Sequence, residues 1–135
     1  MSAPAVPFLA LGPQVAELRA EIDAAVATTW RGGFGGNHSL CHGDLGNLDV
    51  LLEAGRRLAC PDLLARVSRS AAGILQGIEA HGWLTGAPLA PEIPGLMTGL
   101  AGIGYQLLRL AAVDEVPSVL LLEPPRPCVK TSLKP

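Results

Sequence analysis

Apolar residues recur at intervals of three and four along most of the chain, which is the spacing of helices that bury one face. Val15, Leu18, Ile22, Ala25, Val26 and Thr29 share a face, with Glu17, Arg19, Glu21 and Asp23 largely opposite, and they predict a helix over 14–29. The run RGGFGGNHSLCHG (31–43) should not continue it, because its glycines favour turns. A second helix is predicted over 44–59, with Leu45, Leu48, Leu51, Leu52 and Leu58 as its apolar face and Arg56 and Arg57 complementing the dipole in its last turn. Pro61 suits the first turn of a third helix over 61–81, where Leu64, Val67, Ala71, Ile74, Leu75 and Ile78 repeat and Gly82 is the stop. After the loop GAPLAPEIPG (86–95), a fourth helix over 97–112 is apolar nearly all round and should be buried on most sides. The segment VPSVLLLEPP (116–125) reads as a short strand or an extended piece packed on the helices. Residues 1–13 form an irregular leader and 126–135 a tail. No strand pattern occurs elsewhere, so the fold class is all-α.

The elements repeat. Shifting the chain so that Gly43 falls on Gly99 lays Gly43-Asp44-Leu45-Gly46 over Gly99-Leu100-Ala101-Gly102, and Leu51-Leu52 over Leu107-Leu108. Each copy is a GxxG turn feeding an apolar helix, with the amphipathic helix 61–81 between them. Small residues let helix ends crowd together, and each unit buries its face only by stacking on neighbours. The pattern is that of helical hairpins with inner buried helices and outer amphipathic ones.

Composition narrows the function classes. Charged residues are only 16% of the chain against 49% hydrophobic, so disorder is excluded. The formal net charge of −2 argues against nucleic acid as a partner and against a polybasic membrane-surface role. The longest uncharged stretch, 93–108, is broken by glycines and a proline, and no membrane span is expected. The N-terminus lacks a basic region and has early prolines, unlike a signal peptide. Cys41, Cys60 and Cys128 are odd in number and lack disulfide-scaffold spacing, so a reducing cytoplasm with free thiols or a metal site is expected.

Candidate chemistry lies in Cys41-His42-Gly43, at the start of an inner helix. Thiolate and imidazole are standard zinc ligands, and a helix N-terminus helps depress a thiol pKa. The same pair also fits a packed thiol beside a hydrogen-bonded histidine. A cysteine nucleophile with His42 as its base is disfavoured, since neighbouring side chains should diverge. His38 is a possible further donor, with a structural hydrogen bond as the competing reading. His81 reads as a partner of its helix's C-terminal dipole, Cys60 as packing, and Cys128 as a tail residue. No Lys-Ser/Thr follows the GxxG of 99–102, which rules out a Walker-type phosphate loop.

SLCHGDLGNLDVLL (39–52), PGLMTGLAGIGYQLLRLA (94–111) and VPSVLLLEPP (116–125) resemble, in that order, the C-terminal end of lanthionine synthetase C-like (LanC-like) cyclases, most closely the cyclase domain of class II lanthipeptide synthetases, the LanM proteins. The resemblance covers 14–125 and implies part of an α/α barrel whose GxxG turns gather around zinc. It places Cys41 and His42 as two metal ligands. It further implies that zinc holds a cysteine of a dehydrated precursor peptide as thiolate, which adds to dehydroalanine or dehydrobutyrine and closes a thioether ring. The family's other cysteine ligand and its acid/base histidine and aspartate belong upstream of the region resembled, so the zinc site is expected to be incomplete in this chain. Gln106 stands where the family pattern has Gly. The expectation is therefore the C-terminal part of a lanthionine synthetase, inactive alone, partnered by an upstream cyclase/dehydratase portion and prone to self-association. The alternative is a non-catalytic helical-repeat module that binds or supports.

Overall fold

The computed structural model describes residues 16–89 and 92–125. Among them are four helices and no strand: α1 (Arg19–Gly32), α2 (Asp44–Arg57), α3 (Pro61–His81) and α4 (Leu100–Ala111). The all-α expectation holds. The leader and tail lie outside the described residues, as does Val15.

α3 matches its expected range, with Pro61 in its first turn and Gly82 ending it at φ +85°, a conformation glycine adopts without strain. α2 stops at Arg57, and Ala59 turns left-handed (φ +49°) ahead of Cys60. α1 runs past its predicted end, through Arg31 and Gly32. What stops it is a tertiary contact. The Gly33 carbonyl accepts a hydrogen bond from the Asn47 side chain, and a Cβ at Gly33 would stand 2.9 Å from Asn47 Nδ2. α4 starts three residues later than predicted, because Leu96, Met97 and Thr98 form a turn and Gly99 is the extended residue before the helix.

The internal repeat is present in the backbone. Gly43 and Gly99 precede their helices with nearly the same conformation (φ −114° and −117°). Asp44 N–H donates to the Asn37 carbonyl at 2.8 Å, and Leu100 N–H donates to the Ile93 carbonyl at 2.8 Å. A Cβ on Gly46 would collide with the Leu40 carbonyl, and one on Gly102 with the Leu96 carbonyl. The fourth residue of each GxxG is thus small because a turn of backbone lies across the first turn of each helix.

α2 is the centre. Leu45, Leu48, Leu51 and Leu52 are buried with Leu40, Val67, Ile78 and Ile103, each burial being worth about 1.5–3 kcal/mol. α3 packs along α2 through Leu63, Leu64, Val67, Ala71 and Ile74. α1 contributes no buried residue and touches the core through half-buried Val26 and Trp30.

α4 departs from expectation. Its buried stripe is Gly102, Ile103, Gln106 and Arg109, while Leu108 is 64% exposed. The cause is a charge cluster beneath it. Arg109 is fully buried, with Nε 2.7 Å from Asp49 Oδ1, Nη2 on Glu53 and Nη1 on the Val116 carbonyl. Gln106 Nε2 donates to Asp49 Oδ1 at 3.2 Å, which gives this residue a structural task where glycine was expected. Segment 116–125 is a series of turns, not a strand, with Leu122 at φ +54°. Ser118 Oγ donates to Asp49 Oδ2 at 2.6 Å, and Glu123 accepts from Ser118 N–H, so side-chain bonds rather than a ladder fix the segment. No described helix is long and apolar enough to cross a membrane.

Two outcomes follow for stability. Replacing Arg109 by Met strands Asp49 and Glu53 without their cation and should cost about 3–5 kcal/mol, seen as a lower urea midpoint. Gly46→Ala should cost about 3 kcal/mol because backbone cannot yield, whereas Gly73→Ala, whose Cβ would meet nothing within 4 Å, should stabilise α3 by about 0.5–1 kcal/mol.

Candidate functional site

The turn 37–43 carries the candidate donors and lies across the start of α2. Asn37 organises it twice, its carbonyl accepting from Asp44 N–H and its Oδ1 accepting from Ser39 N–H at 2.8 Å. Two other loops support it. His38 N–H donates to the Leu84 carbonyl at 2.7 Å, and Leu84 N–H donates back to His38 Nδ1 at 3.0 Å. The Met97 carbonyl accepts from both Leu40 N–H (3.1 Å) and Cys41 N–H (3.0 Å). Gly86 N–H donates to the Thr98 carbonyl at 2.7 Å and ties the two supporting loops together.

On this platform Cys41 and His42 are both exposed, and Cys41 Sγ lies 2.7 Å from His42 Nδ1. The sequence argument that adjacent side chains diverge is therefore wrong here. The carbonyl of Met97 holds the Cys41 backbone in a turn rather than in an extended strand, and the two side chains leave on the same side. By the internal repeat, Met97 and Thr98 occupy in the second turn the places of Cys41 and His42 in the first. One copy carries the candidate donors, and the other, without them, braces it.

His38 does not join the pair as a third donor. It is buried, and its Nδ1 is committed to Leu84 N–H, so the structural hydrogen bond is the reading that holds. Loss of solvation lowers its pKa below the usual 6.5, and the Asp44 carboxylate only partly opposes this. His81 Nδ1 lies 3.2 Å from the Gly77 carbonyl in the last turn of α3, where a dipole partner belongs. Cys60 is half-buried ahead of α3, in a groove with Trp30, Leu58 and Leu63. Cys128 lies outside the described residues.

Gly86 is a site residue that sequence reasoning missed. A Cβ there would stand 2.9 Å from both Cε1 and Nε2 of His42, so the loop backs directly onto the imidazole. In the sequence it is only one glycine among several in a Pro/Gly-rich loop, and no local signal separates it from the rest.

A soft thiolate and an imidazole facing one point are a donor set suited to zinc. Among the described residues no group of three or more His, Cys, Asp or Glu is placed to hold a metal ion. Cys41 and His42 thus fit as two ligands of a larger set.

The family model described as lanthionine synthetase C-like protein matches residues 10–121. The chain belongs to that family, whose helical-hairpin architecture its four helices share. No curated protein and no solved structure matches the chain.

The buried His38 generates a pH dependence. Its folded pKa lies below the unfolded value, so the unfolded chain binds the extra proton first, and stability should fall as pH drops below about 6.5. Thermal unfolding followed from about pH 7.5 to 5 should show this loss. His38→Asn, whose Oδ1 stands where Nδ1 does and can accept from Leu84 N–H, should flatten that part of the profile.

Proposed function

We propose that this member of the lanthionine synthetase C-like family supplies Cys41 and His42 to the zinc site of a cyclase that closes thioether rings in a dehydrated precursor peptide. The observation that carries the reading is the convergence of Cys41 Sγ and His42 Nδ1 on an exposed turn braced by the Met97 carbonyl. The family match supports the reaction class. The order of the motifs around Cys41, Gly99 and Ser118 supports the LanM branch.

Bound zinc would supply a Lewis acid that keeps a substrate cysteine ionised near neutral pH. Cys41 would hold the ion as a thiolate and His42 through a neutral nitrogen, with a further protein ligand coming from outside the described residues and a position left for the substrate thiol. The ring-closing addition loses no atoms: sulfur bonds to the β-carbon of dehydroalanine or dehydrobutyrine, and a proton is delivered to the α-carbon. Leu84 and Met97, on the two loops hydrogen-bonded to the turn, carry exposed apolar side chains of the kind that suits the dehydrated residues of a peptide.

In the chain assembled with its upstream cyclase and dehydratase portions, Cys41→Ala and His42→Ala should each lower zinc content at least tenfold and stop cyclisation. Dehydrated linear peptide should accumulate, detected by mass spectrometry after thiol alkylation. Cys60→Ala should leave zinc and cyclisation intact. Full cyclisation and full zinc content in both the Cys41 and His42 variants would instead assign the chain a supporting, non-catalytic role.

A further inference from the structure

Ser39 is wholly buried, and its hydroxyl has no hydrogen-bond partner. Leaving a buried hydroxyl alone costs about 1–3 kcal/mol, and alanine would pack in its place without that cost. The rest of the residue is committed: its N–H to Asn37 Oδ1 and its carbonyl to Gly46 N–H at 3.3 Å. What distinguishes the position is its neighbour. The point at which a Cβ of Gly86 would stand is 2.7 Å from Ser39 Oγ and 2.9 Å from His42 Nε2. The hydroxyl and the far nitrogen of the imidazole therefore flank the same bare backbone, with no hydrogen bond joining them in this arrangement.

A neutral imidazole carries one proton, and the nitrogen that bears it cannot bind a metal. In His42 the nitrogen beside Cys41 is Nδ1, so that nitrogen must be bare for the pair to act together. An acceptor on Nε2–H imposes this tautomer, as partners of the distal nitrogen do for histidine ligands generally.

We infer that Ser39 is a positioning residue for His42: a turn of the exposed imidazole brings its Nε2 proton to the unpartnered hydroxyl, leaving the Nδ1 lone pair on the side of Cys41 Sγ, and Gly86 keeps the space between them open. The internal repeat supplies a control within the molecule. In the second turn His42 is replaced by Thr98, and the residue in the place of Ser39 is Gly95. Where there is no imidazole to orient, there is no hydroxyl.

The inference rests on His42 as a ligand, but its test does not require metal. Long-range 1H–15N spectra of the full-length 15N-labelled chain at about pH 8 report the tautomer of each histidine. His42 should be in the Nε2–H form. Ser39→Ala should shift it to a mixture of tautomers, Ser39→Thr should restore the Nε2–H form, and Gly86→Ala should displace the His42 ring resonances while those of His81 stay in place. An Nδ1–H form in the unaltered chain, or a His42 tautomer unchanged in Ser39→Ala, would overturn the assignment. Failure of the zinc reading would show separately, as zinc retained in the assembled His42→Ala protein.

Discussion

The guanidinium of Arg109 organises the molecule around a buried charge. Three carboxylates, on Asp49, Glu53 and Glu123, lie within ion-pairing distance of a side chain that has no solvent exposure. Burial alone would lower the Arg109 pKa, but these carboxylates outweigh it and hold the pKa above its usual value, so the charge persists inside. Such clusters add little net stability, since desolvating the ions offsets most of their attraction. Their consequence is positional. α4 can satisfy Asp49 and Glu53 only in one rotation and one register against α2, and the segment after α4 is fixed by Ser118 and Glu123 meeting the same groups.

That register reaches the site. The turn that opens α4 carries Met97, whose carbonyl holds the backbone of Leu40 and Cys41. A charge cluster at one end of α4 thus sets where the opposite end places the support for the candidate ligands. Leu108 is left outward for the same reason: the face bearing Gln106 and Arg109 had to turn in. An apolar helix was rotated against its hydrophobicity because a stranded buried charge costs more than an exposed leucine.

The two GxxG turns show how one backbone solution serves two tasks. Gly46 and Gly102 permit the same close crossing, and Gly43 and Gly99 the same entry into a helix. The side chains at the turn apex then differ, Cys-His in one and Met-Thr in the other. The donor-free copy presents its carbonyls to its sister and to Gly86, which gives the exposed pair a rigid base without burying it.

Apolar periodicity with the Pro and Gly stops determined the four helices, the limits of α3 and the internal repeat, because these depend on interactions within a few residues along the chain. Motif order also made the family legible. The end of α1 at Asn47, the inward turn of Arg109 and the role of Gln106 were not legible, nor was the closeness of Gly86 to His42. Asp49 and Glu53 stand 56 to 69 residues from the Gln106, Arg109 and Ser118 side chains that meet them, and an arginine in a helical pattern reads as solvated until the carboxylates that receive it are in place. The approach of Cys41 to His42 was misread for the same reason. Adjacent side chains diverge in an extended chain, but the turn 37–43, held by Asn37 and by the Met97 carbonyl from the other repeat, lets these two meet.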